Sequence, residues 1–183
     1  LLILFTSMVS TCFAYRVSYE PTSENSVAYS SYGLIGNILE ATFVKSVSSD
    51  DNAEYWLRLS TRATQTNLIY PLFLTIDDIE YQLTPILEPT AKHFYAGESL
   101  IDNSSTGLGG IIPRSSSRYW NIDNDIIENF RKDSKISITY NTVTYANITV
   151  KIPSEFIEKT QHVFGLKYGD LNTYWSPKDQ SRK

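Results

Sequence analysis

The stretch that decides the fold reads Leu72-Phe73-Leu74-Thr75-Ile76-Asp77-Asp78-Ile79-Glu80-Tyr81-Gln82-Leu83. Apolar side chains recur at every second position on both sides of Asp77-Asp78, which is the period of a β-strand. A two-residue loop containing aspartate between two such runs is typical of a β-hairpin. Pro71 and Pro85 bracket the stretch. We expect both at strand ends or on sheet edges, because proline cannot donate a hydrogen bond to a neighbouring strand.

Similar patterns occur on both sides of this hairpin. Residues 38–47 are rich in β-branched and aromatic residues and are followed by a turn-like run, which predicts another strand. Further along, Ile136–Tyr140 and Ile148–Ile152 alternate almost perfectly. We expect these two segments to pair as a second hairpin in which each strand has one face in solvent.

Two short helices are predicted among the strands. The first covers residues 123–132, where Asp125 and Glu128 have the spacing of a capping box. The second covers residues 154–164, with Pro153 before its first turn and Gly165 at its end. The predicted inner face of the second helix consists of Phe156, Ile157, Thr160, Val163 and Phe164.

These elements indicate a mainly β protein. About seven or eight short strands with frequent turns favour an antiparallel β-sandwich, immunoglobulin-like or jelly-roll-like, with two short peripheral helices. A βαβ arrangement would need helices between most strands. We divide the chain into a signal peptide (1–14), a polar lead-in or edge strand (15–35), a single β-sandwich domain (36–170) and a frayed C-terminal tail (171–183).

The first fourteen residues are apolar and uncharged. This length suits the core of a signal peptide and is too short for a bilayer span, which takes about 20 residues. Small residues at Cys12 and Ala14 predict cleavage after Ala14. Because the run starts at Leu1 without a basic segment, we expect the sequence to be clipped upstream. A buried N-terminal strand is the alternative interpretation of these residues.

Cys12 is the only cysteine of the chain. The run Val9-Ser10-Thr11-Cys12 resembles the box at which bacterial lipoproteins are cleaved and lipidated, although Thr11 fits that pattern poorly. Lipidation of Cys12 would tether the protein to a membrane, whereas cleavage after Ala14 would release it. After either step no thiol is left for disulfides, thiol catalysis or thiolate zinc sites.

Composition and motifs exclude several functions. The net charge is −4, with no block of like charges, which argues against nucleic-acid binding. The start of a calcium loop is resembled by the run Asn121-Ile122-Asp123-Asn124-Asp125. However, Ile126 stands where such a loop has its glycine, and Lys132 stands where it has its closing acid. We therefore interpret the acids of this run as helix caps.

No catalytic constellation is recognisable in the sequence. His93 and His162 are expected to be structural or solvent-facing, and Ser99 lacks the second glycine of a nucleophile elbow. We predict no catalytic residue, metal site or cofactor. The sequence leaves an enzymatic activity open, because the separation of acids such as Glu80 and Glu98 cannot be derived from it.

Aromatic residues are the remaining indication of a binding surface. The chain has 13 Tyr, 8 Phe and 3 Trp, and Tyr and Trp are enriched at recognition surfaces. If Tyr55, Leu57 and Leu59 face the core, the strand's alternation turns Trp56 outward. The expected binding residues are Trp56, Tyr95, Tyr119 and Trp120. Ordinary core packing is the alternative explanation for all of them.

The sequence therefore supports three hypotheses. The first is a secreted, periplasmic or envelope-bound non-enzymatic domain that binds a macromolecule or assembles on the envelope. The second is a carbohydrate-binding or carbohydrate-active module that uses exposed Trp and Tyr. The third is a small-ligand carrier with a cavity between its sheets. The expected partner is a protein or glycan outside the cytoplasm, with membrane contact only through a lipid anchor; the oligomeric state is not predicted.

Overall fold

The computed structural model describes residues 15–36, 39–61, 68–90, 93 and 116–170. Ten strands and two helices lie within these ranges. The strands are β1 (Arg16–Ser23), β2 (Ser26–Ile35), β3 (Leu39–Ser48), β4 (Ala53–Thr61), β5 (Leu68–Ile76), β6 (Ile79–Gln82), β7 (Thr84–Pro85), β8 (Ser116–Asn121), β9 (Ile136–Thr142) and β10 (Ile148–Lys151). The helices are α1 (Asn124–Asn129) and α2 (Ser154–Gly165).

The described strands form two antiparallel sheets. One has six strands in the order β1-β2-β3-β4-β8-β7, and the other has four in the order β10-β9-β5-β6. Neighbours within each sheet run antiparallel. The predicted mainly β class with two short helices is therefore confirmed.

The hairpin around Asp77-Asp78 forms as predicted. Ile76 pairs with Ile79 across the turn, and both aspartates have positive φ angles of 47° and 70°. Two consecutive positive φ angles are those of a type I′ turn, whose twist matches that of the flanking strands. The Asp77 carboxylate accepts hydrogen bonds from the backbone N–H of Lys135 (2.7 Å) and the hydroxyl of Ser134 (2.8 Å). The turn is thereby fixed to the chain that leads into β9.

Pro71 differs from the prediction. It lies inside β5, which has neighbours on both sides, and follows a cis peptide bond. The pairing of β5 with β9 shifts register between Ile69 and Phe73. An irregularity of this kind accommodates a residue that lacks a backbone N–H. Pro85, as expected, lies on a sheet edge, in β7.

The second hairpin and the second helix agree with the sequence pattern. Ile148 pairs with Tyr140 and Lys151 with Ser137. Helix α2 ends at Gly165 as predicted, and it buries Phe156, Ile157, Thr160, Val163 and Phe164. Helix α1 is shorter than the predicted range of 123–132 and has no side-chain hydrogen bond at its N-cap, Asp123.

Residues 15–35 form two strands rather than a polar lead-in. β1 is an edge strand, one of the two alternatives, whereas β2 lies between β1 and β3. Although β2 is rich in Ser and Tyr, Tyr29 and Ser31 are fully buried. The Ser31 hydroxyl lies 2.8 Å from that of Thr160 on α2. A polar side chain can be buried in this way because it has a hydrogen-bond partner.

The main hydrophobic core lies on one face of the six-stranded sheet. Helix α2 covers β1, β2 and β3 on this face, and side chains of the four-stranded sheet join the same core. The ring of Phe43 lies 5.5 Å from Phe130, 5.7 Å from Phe156 and 6.2 Å from Phe164, in edge-on geometry. Such edge-to-face contacts stabilise aromatic clusters beyond simple burial.

A buried lysine holds the C-terminal end of α2. Lys45 on β3 is 7% exposed, and its ammonium group donates to the carbonyl oxygens of Phe164 (2.7 Å) and Leu166. Cations are favoured at this end of a helix, where carbonyl groups lack partners. Burial lowers the pKa of Lys45. Beside it, the Tyr29 hydroxyl donates to the carbonyl of Lys167 (2.9 Å), so the segment after α2 is held at two points.

Candidate functional site

The aromatic residues that the sequence suggests for binding lie in the interior. Trp56 and Trp120 are each 1% exposed, and Tyr119 is 6% exposed. The alternation that turns Trp56 away from the main core is present, but the prediction of an exposed side chain is wrong. The second face of the sheet is covered there, because Ile86 and the ring of His93 pack against Trp56.

Tyr119 and Trp120 do not form one patch, because they lie on opposite faces of β8. Trp120 joins the main core, where its ring lies 5.8 Å from that of Tyr70. Tyr119 joins the smaller cluster around Trp56. The structure therefore brings Trp56 and Tyr119 together and separates both from Trp120.

Two further residues suggested by the sequence, Tyr95 and Cys12, lie outside the described residues. The same holds for Ser99, for the signal-peptide segment 1–14, for the tail 171–183 and for most of the Gly/Ser-rich stretch 102–117.

His93 has a structural position, as the sequence leads us to expect. Its Nδ1 accepts a hydrogen bond from the backbone N–H of Thr90 (2.9 Å), and the Thr90 hydroxyl lies 3.1 Å from the same nitrogen. A backbone N–H can only donate, so Nδ1 is unprotonated and the proton of the neutral ring resides on Nε2. The ring lies 5.1 Å from Trp56 and 6.2 Å from Tyr119, which fixes its orientation.

A cleft opens beside this cluster, where β4 begins and β8 ends. Its volume is about 480 Å³, within the range of about 300–1,000 Å³ typical of ligand-binding pockets. One wall is aromatic and apolar, and the rim is polar. The cleft is lined by Ala53, Glu54, Tyr55, Trp56, Ile86, His93, Asn121, Ile122, Asp123 and Asn124.

Three neighbouring polar side chains give the rim its character. Asn121, Asp123 and Asn124 are exposed, and none of them makes a side-chain hydrogen bond or ion pair in the part of the chain that the structure describes. Asp123 is the N-cap of α1, yet its carboxylate does not cap the helix. These groups are thus directed to solvent or to a ligand. Glu54, two residues before Trp56 on the same face of β4, adds a second carboxylate to the cleft.

The indole N–H of Trp56 is a further polar group at this site. It is buried and has no acceptor among the described residues. An unpaired buried donor costs free energy, and Trp56 lines the cleft.

The described lining of the cleft combines polar groups with aromatic surface. Its lining offers carboxylate and amide oxygens, amide N–H groups and aromatic surface, and its described residues include no lysine or arginine. No group of three or more His, Cys, Asp or Glu side chains that could hold a metal ion occurs among residues 15–36, 39–61, 68–90, 93 and 116–170.

A second groove is less distinctive. It has a volume of about 530 Å³ and lies between the N-terminal end of α2 and the four-stranded sheet. Its lysines are Lys132, Lys135 and Lys151, but Asp78 and Asp133 line it too, and Lys132 is paired with Glu158 at 3.1 Å. The charges are mixed and exposed, so this groove selects no ligand class.

One sequence motif lies at the cleft, although its pattern is that of helix caps. The alternating oxygen-bearing residues of Asn121–Asp125 predict helix caps, yet Asn121, Asp123 and Asn124 line the cleft instead. The contribution of Glu54 has no local signal, since its position depends on the register between β4 and β8.

No protein-family model, curated protein or solved structure matches this chain. Within the ranges that the structure describes, no helix combines the length and apolar character needed to cross a membrane.

Proposed function

We propose that this chain is an exported, non-enzymatic binding domain that holds a macromolecule in the cleft beside Trp56. The observation that carries the proposal is the polar run of the rim. The side chains of Asn121, Asp123 and Asn124 make no hydrogen bond to a described residue, and they lie next to an aromatic wall within one cleft. Convergent polar groups beside apolar surface are the usual composition of a binding site.

The packing of Tyr15 is compatible with the proposed cleavage after Ala14. The Tyr15 ring stacks on Phe156 at 4.8 Å, and its hydroxyl donates to the carbonyl of Leu34 (3.5 Å). A cut between Ala14 and Tyr15 leaves these contacts intact, whereas a cut further along the chain would remove them. Cleavage after Ala14 is therefore compatible with these contacts.

Lipidation of Cys12 remains the alternative form of the proposal. Three residue steps separate Cys12 from the packed Tyr15, a span of at most about 10–11 Å. A lipidated chain would therefore be held close against the membrane surface. One acyl chain alone anchors weakly, so a tethered protein would need a second contact with the membrane.

We also propose that the two sheets stack as a sandwich. Supporting contacts join them: Arg118 of β8 donates to the carbonyl of Leu68 on β5 (2.6 Å), and Trp120 lies beside Tyr70. The core side chains between the sheets occupy the space in which a carrier would keep its cavity, which makes the carrier hypothesis the weakest. A double-mutant cycle on Trp120 and Tyr70 tests the stacking; additive losses of stability would contradict it.

The binding proposal is tested on cells. The fluorescently labelled chain is applied to intact cells of the source strain from which its own gene has been deleted. We expect saturable binding that the Asp123→Ala/Asn124→Ala variant loses, whereas Gln161→Ala, an exposed amide on α2, retains it. Equal binding by all three proteins would contradict the use of the cleft. Turnover in a broad hydrolase screen that disappears with one substitution would contradict the non-enzymatic assignment.

A further inference from the structure

The charge of the cleft restricts the class of its ligand. Glu54 and Asp123 are the acidic side chains that line it, and its described lining contains no lysine or arginine. Phosphate, sulfate and carboxylate groups would meet like charge there, without a basic side chain of the lining to bind them. An anionic ligand, such as a nucleotide, a phospholipid headgroup or an acidic polymer, is therefore disfavoured by the described lining.

The hydrogen-bonding groups favour hydroxyls. Each amide of Asn121 and Asn124 offers a carbonyl acceptor and two N–H donors, and the Asp123 carboxylate offers two acceptor oxygens. A hydroxyl group both donates and accepts, so neighbouring hydroxyls on a sugar ring can bond to an amide and a carboxylate together. The three side chains fall within four consecutive residues, which places complementary groups side by side.

The wall of the cleft complements the other surface of a sugar. Trp56 and Ile86 present apolar and aromatic surface, and the C–H faces of a pyranose ring pack on such surface. Because Trp56 is almost fully buried, contact with it would be along the edge of its ring. The volume of about 480 Å³ suits a short oligosaccharide segment.

From these observations we infer that the ligand of the cleft is a neutral glycan, bound by Asn121, Asp123 and Asn124. This inference rests on the proposed function and names its ligand class. A cationic peptide is the competing ligand, since two carboxylates beside aromatic rings also attract ammonium and guanidinium groups. The neutral glycan fits better because it uses both amides as well as the Asp123 carboxylate.

The test uses an array of neutral and charged glycans, followed by titration calorimetry with the best neutral oligosaccharide. We expect the Asn121→Ala/Asn124→Ala variant to bind about ten- to a hundredfold more weakly, as loss of two or more hydrogen bonds implies. Gln161→Ala is the matched amide control and should bind like the original chain. Affinity for a neutral glycan should change little between low and high salt.

Each other outcome has a defined meaning. If no glycan binds while cell binding still depends on Asp123 and Asn124, the glycan inference fails and the proposed function stands. Salt-sensitive binding of an oligolysine probe in place of glycans would also overturn the inference. If a glycan binds equally well to the double variant, the assignment of the cleft fails. If neither cells nor glycans bind, both proposals fail.

Discussion

Gly33 is the residue at which one added methyl group would disturb the core. A Cβ atom there would lie 2.9 Å from Cε1 of Tyr15, so the ring would have to leave its stack on Phe156. We expect Gly33→Ala to lower the free energy of unfolding by about 1–3 kcal/mol, the usual cost of overpacking. Urea denaturation measures it.

Two variants control this experiment. Gly165→Ala should cost little, because nothing lies within 4 Å of the position that its added methyl group would take on α2. In a Tyr15→Ala background, Gly33→Ala should also cost less, since the ring it displaces is gone. A Gly33→Ala protein as stable as the original would show that Tyr15 does not pack on Gly33.

Tyr29 makes stability depend on alkaline pH. Burial, aided by the nearby Asp170 carboxylate, raises the pKa of Tyr29 from 10.0 to about 12. Between these values the unfolded chain loses the phenol proton and the folded chain keeps it. The stabilisation is therefore complete below pH 10 and is lost as pH rises toward 12.

Lys45 acts in the opposite direction, because its pKa in the folded protein is lowered from 10.5. As pH rises toward 10.5, the unfolded chain holds the extra proton and stability increases.

We expect Tyr29→Phe to reduce the fall in urea midpoint between about pH 10 and about pH 11.5, whereas the exposed Tyr145→Phe should not. An unchanged fall in Tyr29→Phe would contradict this assignment.

At the scale of elements, the local sequence pattern is sufficient to predict a strand or a helix where one face is buried and the other is exposed to solvent. Both hairpins and α2 follow from the alternation and the helical period of their own residues. Sequence alone does not identify β2 as an internal strand, because its buried face includes Ser31, whose hydrogen-bond partner Thr160 comes from α2. The predicted range of α1 is too long at its C-terminal end, because the described helix ends at Asn129; Asp123 occupies the N-cap position without a side-chain capping bond.

The turn between β5 and β6 carries a prediction at this scale. Hydrogen bonds from Lys135 and Ser134 lower the pKa of Asp77 in the folded protein. The ionised carboxylate therefore stabilises the fold at pH values above 3.8, the pKa in the unfolded chain. This stabilisation is lost as the pH falls through the lower pKa of the folded protein. We expect Asp77→Asn to be less stable near neutral pH and to lose less stability on acidification.

Asp78→Asn is the matched control, because Asp78 shares the turn and a positive φ of 70° but does not contact Ser134 or Lys135. Thermal unfolding followed from about pH 6 to about pH 2 compares the three proteins. Equal acid sensitivity of the original chain and Asp77→Asn would contradict a role for this carboxylate.

At the scale of the molecule, the fold class could be predicted and the site could not. Strand alternation gives the faces of Trp56 and Trp120 but not what covers each face. Ile86 and His93 come from a segment distant in sequence from Trp56, and their packing turns an expected contact surface into the wall of a cleft. The rim combines β4 with the end of β8, which only sheet register brings together.

We propose export with cleavage after Ala14, and the mass of the protein outside the cytoplasm tests this proposal most directly. The source cells are fractionated, and the chain is recovered for intact-mass analysis and N-terminal sequencing. We predict an extracytoplasmic chain that starts at Tyr15. A lipid-modified chain that starts at Cys12 would show that the protein is tethered rather than released. A cytoplasmic chain that still carries residues 1–14 would contradict the proposal.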